Sequence, residues 1–337
     1  MSTRIAINGL GRIGRSLLKL VIDDPSLELV AVNDLVGVEN LAYLLRFDTV
    51  YGRYPKSVVA DGSDLVVAGR KVRTLRSRDP SELPWKGLGV DLVFECTGRF
   101  TRREDLEKHV RAGARFVLLS APSHGGEVET VVHGANVPGG TPSIISCASC
   151  TTNCITPVVE VIGRRIGVQK AVMTTVHAYT SSQSVVDGPS RQLRRGRAAG
   201  ANLVPTTTGA AIATTRALPQ YAGRFDGIAL RAPIPIGSIA DMTFLASRKT
   251  SVDEVNQILT EESETERYAG VLGVSHDPLV SSDIIGDPRA SIVDLELTKV
   301  VDGDLVKVLS WYDNEWGYAN QMVREARAMA GRSMAFA

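Results

Sequence analysis

Long hydrophobic runs are absent from this chain of 337 residues, and no segment approaches the ~18 apolar residues that a membrane-spanning helix needs. An excess of one charge is also absent, because 38 basic residues face 37 acidic ones, which excludes a general attraction to nucleic acid or anionic membranes. Four cysteines are too few for the disulfide framework of a small secreted protein. The first residues contain no signal-peptide core. We therefore expect a cytoplasmic protein that requires neither a membrane nor a nucleic acid partner.

The length of the chain favours two domains. In the first half, short apolar segments predict strands at residues 5–8, 27–33, 91–96 and 115–119, with amphipathic helices between them. Alternating strands and helices are typical of a parallel sheet with helices on its faces. In the second half, alternation over residues 293–298 and the strand that follows an Asp302-Gly303 turn predict a hairpin with one polar face. The second half is therefore predicted to hold an antiparallel sheet.

Gly9, Gly11 and Gly14 have the spacing Gly-x-Gly-x-x-Gly between a predicted strand and a predicted helix. In this context the backbone can approach a pyrophosphate at the N-terminus of the helix. The next strand ends at Asp34, whose carboxylate can accept from the ribose hydroxyls and would repel a 2′-phosphate. We therefore expect NAD rather than NADP, although additional use of NADP stays open. The alternative is a turn in which the glycines serve packing only.

Cys150 lies where a helix is predicted to begin, with Ser149 as its N-cap and apolar residues at 155, 158, 159 and 162. Unpaired N–H groups and the helix dipole favour a thiolate at such a position, and the thiolate is the nucleophilic form of cysteine. The alternative is a buried structural cysteine. Polar neighbours at 151–153 count against that alternative. Pro157 lies too deep for the first turn, so the helix is predicted to kink or tighten there.

Five histidines are candidates for a base beside Cys150. His177 is the best of them because it follows an apolar strand at residues 171–176, whereas His109 is predicted on the exposed face of a helix. A hydrogen-bonded strand histidine is the alternative for His177. No metal site is expected, because no His or fourth Cys has zinc-ligand spacing to the cysteines at 147, 150 and 154.

Two further segments could bind anions. Residues 206–209 place three threonines before Gly209, which suits a phosphate but also suits a loop that caps its own backbone. Arg231 ends an apolar strand and would need an anionic partner there. A run of arginines between 191 and 197 is either a solvated loop or a site for phosphate, cofactor or another subunit, and it lacks the aromatics of a nucleic-acid surface.

Five segments together resemble the family of phosphorylating glyceraldehyde-3-phosphate dehydrogenases: residues 8–15, 148–154, 175–180, 208–211 and 310–318. The resemblance implies oxidation of D-glyceraldehyde 3-phosphate with NAD and inorganic phosphate to 1,3-bisphosphoglycerate, through a cysteine thioester, in glycolysis or gluconeogenesis. It implies an α/β fold with a Rossmann-type doubly wound parallel sheet plus an α+β catalytic domain with a large, mostly antiparallel sheet. Residues 1–150, completed by a C-terminal helix at 315–337, would bind NAD, and residues 151–314 would form the catalytic domain.

The family's functional positions can be matched in this chain. Cys150 corresponds to the nucleophile and His177 to the residue that activates it. The positions that bind phosphate in the family are Ser149, Thr151, Thr180, Arg195, Thr208, Gly209 and Arg231. The positions that bind the cofactor are Gly9, Gly11, Arg12, Ile13, Gly14, Asp34, Arg78, Ser120 and Asn314. The resemblance also implies a homotetramer, in which residues 180–200 lie near the cofactor of an adjacent subunit.

Three positions depart from the family pattern: Cys147 replaces the usual Asn, Ile212 the usual Lys, and Ile234 the usual Thr. An additional thiol could resolve an oxidised Cys150, so redox roles for Cys147 and Cys154 stay open. The two isoleucines could weaken anion binding. Two alternative functions also remain: erythrose-4-phosphate dehydrogenase, and a non-enzymatic redox-sensing or RNA-binding relative.

Overall fold

The structure is a computed structural model that describes residues 2–125 and 128–334. Side chains are described as far as residue 331. The chain divides into two compact units. Unit 1 comprises residues 1–131, 138–148 and 322–337, and unit 2 comprises residues 132–137 and 149–321. The last three residues of the C-terminal helix predicted at 315–337 lie outside the described residues.

Unit 1 contains a nine-stranded sheet. Strands β3 and β4 form a separate two-stranded ribbon, and the other strands of the unit form the sheet. The strands are β1 (Thr3–Asn8), β2 (Leu27–Asn33), β3 (Phe47–Asp48), β4 (Gly52–Arg53), β5 (Val58–Asp61), β6 (Asp64–Val67), β7 (Arg70–Leu75), β8 (Leu92–Glu95), β9 (Phe116–Leu119), β10 (Glu129–Thr130) and β11 (Ile144–Ser146). Its helices are α1 (Arg12–Val21), α2 (Val38–Arg46), α3 (Trp85–Leu88) and α4 (Arg103–Arg111).

The strand order of this sheet is β10-β11-β9-β8-β1-β2-β7-β6-β5. All neighbours from β10 to β7 are parallel, and β7, β6 and β5 are antiparallel. The central strands are continuous apolar runs because helices shield both faces of a parallel sheet, and Ile5, Ile7 and Phe94 are fully buried. The predicted Rossmann-type parallel sheet is confirmed.

Unit 2 contains a seven-stranded sheet in the order β13-β14-β12-β15-β18-β17-β16. Its elements are α5 (Cys150–Arg165), β12 (Val168–Ala178), β13 (Val204–Thr207), α6 (Ala210–Ala217), β14 (Phe225–Ala232), β15 (Ser238–Ala246), α7 (Val252–Ser263), β16 (Leu272–Ser275), β17 (Ser291–Val301), β18 (Leu305–Tyr312) and the start of α8 (Trp316–Met334). Four of its six pairings are antiparallel, so the mostly antiparallel second sheet is also confirmed.

Helix α5 is buried along most of its length, and its apolar side chains pack with those of the sheet in one core cluster. The predicted inward positions Ile155, Val158, Val159 and Ile162 are all buried. The helix continues unbroken through Pro157, where the sequence predicted a kink or a tightened turn. A buried helix anchored in this way gives its first residue, Cys150, a fixed position beside the end of the neighbouring strands.

The prediction for His109 is wrong. Its side chain is fully buried rather than on the exposed face of a helix. Helix α4 turns this residue toward Trp85 Nε1 at 2.9 Å and toward the carboxylate of Glu95 at 3.1 Å. Both partners are distant in the sequence, so the local pattern contained no signal for this burial.

Among the described residues, none of the helices combines the length and the apolar character that crossing a membrane requires. The same residues contain no group of three His, Cys, Asp or Glu side chains arranged to hold a metal ion.

Candidate active site

The glycine loop of unit 1 joins β1 to α1 with very close backbone packing. Gly9 has a φ of +95°, a conformation that side chains other than glycine rarely adopt. A Cβ on Gly14 would lie 1.9 Å from the carbonyl oxygen of Gly9, and a Cβ on Gly9 would lie 2.8 Å from Thr97 N. The glycines at 9 and 14 are therefore required by the turn itself, which leaves the loop backbone accessible from the adjacent cleft.

This cleft of unit 1 has a volume of about 770 Å³ and opens at the carboxyl ends of the parallel strands. Asp34 lies on its wall, where Oδ2 accepts from Leu10 N at 2.7 Å and Oδ1 accepts from Val36 N at 3.0 Å. The carboxylate thus holds the glycine loop and still faces the cleft. The residues that line the cleft are Asn8, Gly9, Gly11, Asn33, Asp34, Leu35, Ser77, Arg78, Cys96, Thr97, Arg99 and Phe100.

Four of the predicted cofactor residues therefore line the cleft: Gly9, Gly11, Asp34 and Arg78. The others lie elsewhere in their units. Gly14 packs beneath Gly9, and Ile13 follows in α1. Arg12 pairs with Asp48 at 2.6 Å. Ser120 follows β9 and donates its N–H to Glu95 O at 3.0 Å.

Asn314 belongs to unit 2. Its Oδ1 accepts from Gly237 N and from Ser238 Oγ, both at 3.1 Å. Sequence reasoning missed Asn33, Ser77 and Thr97 as cleft residues. The rule that ligands bind at the carboxyl ends of parallel strands could have found them, since they end β2 or closely follow β7 and β8.

Cys150 is the first residue of α5 in unit 2, and the predicted N-cap is confirmed. Ser149 Oγ accepts from Thr152 N at 3.1 Å. The Cys150 thiol is half-buried, and its Sγ lies 3.4 Å from His177 Nε2. The cysteine and the histidine selected from the sequence are therefore within hydrogen-bonding distance, although 27 positions separate them.

His177 is buried near the end of β12, next to Arg231 on the parallel neighbour β14. Its Nδ1 lies 2.7 Å from the carbonyl oxygen of Ala178 and 2.6 Å from Arg231 Nη1. Nδ1 must carry a proton to donate to the carbonyl but must lack one to accept from the guanidinium. Two tautomers are therefore available: one leaves Nε2 free to accept a proton from Cys150, and the other makes Nε2 a donor to its sulfur.

Burial and a neighbouring cation set the charge states of this pair. Burial lowers the pKa of His177 to about 3, and the Arg231 charge contributes in the same direction, so the imidazole is neutral at pH 7. Burial also raises the pKa of Cys150, while Arg231 and the N–H of Thr151 oppose the rise. The N–H groups at the helix N-terminus lower the pKa of Cys150, as predicted. The pKa is nevertheless raised overall, because the desolvation of the thiol outweighs their effect.

Tyr312 connects the helix of Cys150 to the strand of His177 and was not singled out by sequence reasoning. Its hydroxyl lies 2.8 Å from both Thr151 Oγ1 and Thr175 Oγ1, and Thr175 donates to Ile239 O at 3.2 Å. The hydroxyls can therefore donate in one direction, from Thr151 through Tyr312 and Thr175 to the carbonyl. The Tyr312 ring also packs edge-on against His177 at 5.9 Å.

Cationic and hydroxyl groups surround this pair. Arg231 Nε is buried and, within the described structure, has no hydrogen-bond partner, so an anion would satisfy it. Arg195 donates from Nε to Thr206 Oγ1 at 3.0 Å, and its charge also lowers the pKa of His177. The site therefore contains two guanidinium groups that favour a negatively charged ligand.

The remaining predicted phosphate residues have local partners. Thr208 Oγ1 accepts from Ala210 N at 3.2 Å and Gly209 precedes α6, so the self-capping interpretation of this loop also applies. Thr180 Oγ1 lies 2.9 Å from Ser182 Oγ. Arg197, in the basic run, pairs with Asp187 at 2.9 Å.

The structure also locates Cys147, Cys154 and Ile212, which the sequence singled out for redox or anion-binding roles. Cys147 is buried in unit 1. Cys154 is buried in unit 2, with its sulfur 3.8 Å from Ser291 Oγ. Ile212 is 57% exposed on α6.

Comparison with known proteins gives two family matches. Residues 3–103 match the family model described as "Glyceraldehyde 3-phosphate dehydrogenase, NAD binding domain", and residues 149–314 match the corresponding "C-terminal domain". Together they cover most of the chain and include both the glycine loop and the Cys150–His177 pair.

Similar curated proteins have the same name. Glyceraldehyde-3-phosphate dehydrogenase from Zymomonas mobilis is 45% identical over 98% of this chain and 99% of that protein. The protein from Geobacillus stearothermophilus is 43% identical over 99% of this chain and 100% of its own length. The Mycobacterium bovis protein is 46% identical, with the same coverage. The family prediction is thus confirmed, and the chain belongs to the glyceraldehyde-3-phosphate dehydrogenase family.

Proposed function

We propose that this chain oxidises D-glyceraldehyde 3-phosphate with NAD and inorganic phosphate, forming 1,3-bisphosphoglycerate through a thioester on Cys150. The enzyme class, an NAD-dependent glyceraldehyde-3-phosphate dehydrogenase of glycolysis, is confirmed by the similar proteins. The observation that best supports the thioester route is the 3.4 Å distance between Cys150 Sγ and His177 Nε2 at a helix N-terminus. A substrate that carries a phosphate group is supported by the guanidinium groups of Arg231 and Arg195.

The cleft of unit 1 fits the cofactor. The close packing of Gly9 and Gly14 keeps side chains away from the loop, and Asp34 places a carboxylate on the cleft wall. We infer that the loop backbone binds the pyrophosphate and that Asp34 accepts from the ribose hydroxyls. NAD, when bound, supplies the hydride acceptor for aldehyde oxidation.

The first chemical step uses His177 as the base. The sulfur of Cys150 attacks the aldehyde carbon while its proton moves to His177 Nε2, and the proton then passes to the former carbonyl oxygen, giving a hemithioacetal with a neutral hydroxyl. This requires the tautomer in which Nδ1 donates to the Ala178 carbonyl. The base is weak in the structure because burial and the Arg231 charge lower the pKa of His177 to about 3.

Substrate binding would strengthen this base. A substrate phosphate paired with Arg231 partly cancels the charge that lowers the pKa of His177, so that pKa rises. The same phosphate competes for the N–H groups of Arg231, which favours the tautomer that Cys150 needs. We infer that the substrate's own phosphate activates the cysteine through these two effects.

The oxidation and phosphorolysis follow. His177, which is neutral again after protonating the oxygen, removes the hydroxyl proton of the hemithioacetal, while the carbon loses a hydride and becomes a thioester. Inorganic phosphate attacks the thioester carbon, breaks the carbon–sulfur bond and releases the acyl phosphate and the Cys150 thiolate. We propose that Ser149, Thr151, Thr208 and Gly209 bind the attacking phosphate. Thr180, Arg195 and Arg231 would bind the phosphate at C3.

The finer assignments of domains and assembly belong to the same proposal. Residues 1–150 would bind NAD together with the C-terminal helix, and residues 151–314 would form the catalytic domain, with the nucleophile Cys150 at the boundary between the two. The bond from Arg327 Nε to Asp24 Oδ2 at 2.8 Å supports this role of α8. We also propose a homotetramer in the cytoplasm. Association between subunits is supported by apolar side chains on the open face of the second sheet, where Val172, Ile228 and Leu305 are 61%, 52% and 42% exposed.

Replacement of the nucleophile tests the proposal. Cys150→Ser keeps the size of the side chain but removes the thiol, so NADH formation should fall at least 1,000-fold while the Kd for NAD stays within about twofold. Erythrose 4-phosphate is assayed in parallel, because a higher kcat/KM for it would assign the alternative substrate. Undiminished turnover by Cys150→Ser would contradict the mechanism.

A further inference from the structure

A buried carboxylate lies beside the cleft of unit 1 and takes no part in the proposed reaction. Glu95 ends β8 and is fully buried. Four uncharged groups donate to it: Asn8 Nδ2 at 2.5 Å, His109 Nε2 at 3.1 Å, Thr97 N at 2.8 Å and Thr97 Oγ1. Both oxygens are therefore occupied as acceptors, as a buried carboxylate requires.

The donor role of His109 is fixed from the other side of its ring. Trp85 Nε1 lies 2.9 Å from His109 Nδ1, and an indole nitrogen can only donate. Nδ1 must therefore accept, which places the ring proton on Nε2, where it points to Glu95. Both hydrogen bonds therefore run in the same direction: Trp85 donates to His109, and His109 donates to Glu95.

The carboxylate also fixes the side chains that form the cleft. Because Asn8 Nδ2 donates to Glu95, Asn8 Oδ1 faces Asn33 and accepts from its Nδ2 at 2.7 Å. Asn33 Oδ1 in turn accepts from Ser77 N at 2.9 Å. Asn8, Asn33, Ser77 and Thr97 all line the cleft, so a single residue outside the lining orients four residues within it.

We propose that Glu95 is a positioning residue for the dinucleotide: with the fixed donor from His109, it holds the cleft wall in its binding shape without touching the ligand. The inference rests on the proposed binding of NAD in this cleft. A ligand that meets a pre-formed wall loses less free energy in ordering it. Loss of the carboxylate should therefore weaken binding more than it slows the reaction of bound NAD.

Glu95→Gln is the direct test, because it keeps the volume but turns one acceptor into an NH₂ group that must face other donors. The Kd for NAD and for ADP-ribose should rise about tenfold, or about 1.4 kcal/mol. The kcat at saturating NAD should stay within about twofold. A purely structural role would instead lower the unfolding midpoint in the absence of NAD and leave both Kd values unchanged, which would overturn the proposal.

A matched pair at His109 tests the same point without changing the carboxylate. Gln can donate to Glu95 and accept from Trp85, whereas Leu can do neither. His109→Gln should bind NAD within about twofold of the unsubstituted protein, and His109→Leu at least fivefold more weakly. This pair also decides the question if Glu95→Gln fails to fold. Equal affinities for the two variants would overturn the proposal.

Asp34→Ala separates this inference from the function on which it rests. If the unsubstituted protein binds NAD and Asp34→Ala weakens binding, the cleft assignment stands. Unchanged affinity in Glu95→Gln and His109→Leu would then overturn the positioning role alone. Failure of the unsubstituted protein to bind NAD would contradict the proposed function and the inference together.

Discussion

Removal of the Tyr312 hydroxyl should disturb both the stability of unit 2 and the Cys150–His177 pair. Tyr312→Phe keeps the ring against His177 but deletes two hydrogen bonds of 2.8 Å, to Thr151 and Thr175. Thr175 keeps its bond to Ile239 O, whereas Thr151 loses the Tyr312 bond. The bond to Thr175 is a lost neutral hydrogen bond, and the Thr151 hydroxyl becomes a poorly satisfied buried group. Together these two losses lower the free energy of unfolding by about 2 kcal/mol.

That loss corresponds to a fall of about 4–8 °C in the melting temperature. Because the hydroxyl fixes the start of α5 relative to β12, kcat/KM should also fall about tenfold. Differential scanning calorimetry and steady-state NADH formation measure the two effects on the same preparation.

Tyr54→Phe is the matched control. The Tyr54 hydroxyl is buried and has no partner among the described residues, so its removal should lower neither the melting temperature nor the rate. If Tyr312→Phe and Tyr54→Phe behave alike, the hydroxyl connection does not hold the catalytic pair in place, and the geometric argument is refuted.

Two other predictions follow from the geometry of each unit. Gly14→Ala should reduce NAD affinity more than 100-fold or prevent folding, because its Cβ would lie 1.9 Å from Gly9 O. Calorimetric titration measures the affinity, and near-normal NAD binding would contradict the required close packing of the loop. Arg231→Met should slow alkylation of Cys150 by iodoacetamide at pH 7. The neighbouring Arg231 cation lowers the thiol pKa, so its removal raises that pKa and reduces the fraction of thiolate. Equal or faster alkylation would show that Arg231 does not stabilise the thiolate.

Local sequence patterns were sufficient to locate the main elements of the site. The apolar segment at residues 27–33 coincides with β2, and the Ser149 cap and the inward face of α5 followed from helical spacing. These features depend on neighbours within a few positions, which is why a single sequence contains them. The short strands β5 and β7 were missed because most of their side chains are exposed or partly buried and give a weak apolar pattern. Strand β6 is mostly buried but has only four residues, too few to show a period.

Contacts between distant segments could not be obtained in this way. Arg231 meets His177 because β12 and β14 pair in parallel register, and that pairing also contributes to the low pKa of His177. His109 was assigned to the wrong face of its helix because its partners, Trp85 and Glu95, come from other elements. The net direction of the Cys150 pKa likewise depends on burial, which the position at the helix N-terminus does not reveal.

The thioester on Cys150 can be tested most directly by omitting inorganic phosphate. Enzyme mixed with glyceraldehyde 3-phosphate and excess NAD should form one NADH per active site in a rapid burst and then stall, and mass spectrometry should find the acyl group on the peptide that contains Cys150. Added phosphate should restart turnover. Continuous NADH formation without phosphate at the full rate, or a burst of equal size from Cys150→Ser, would contradict the account.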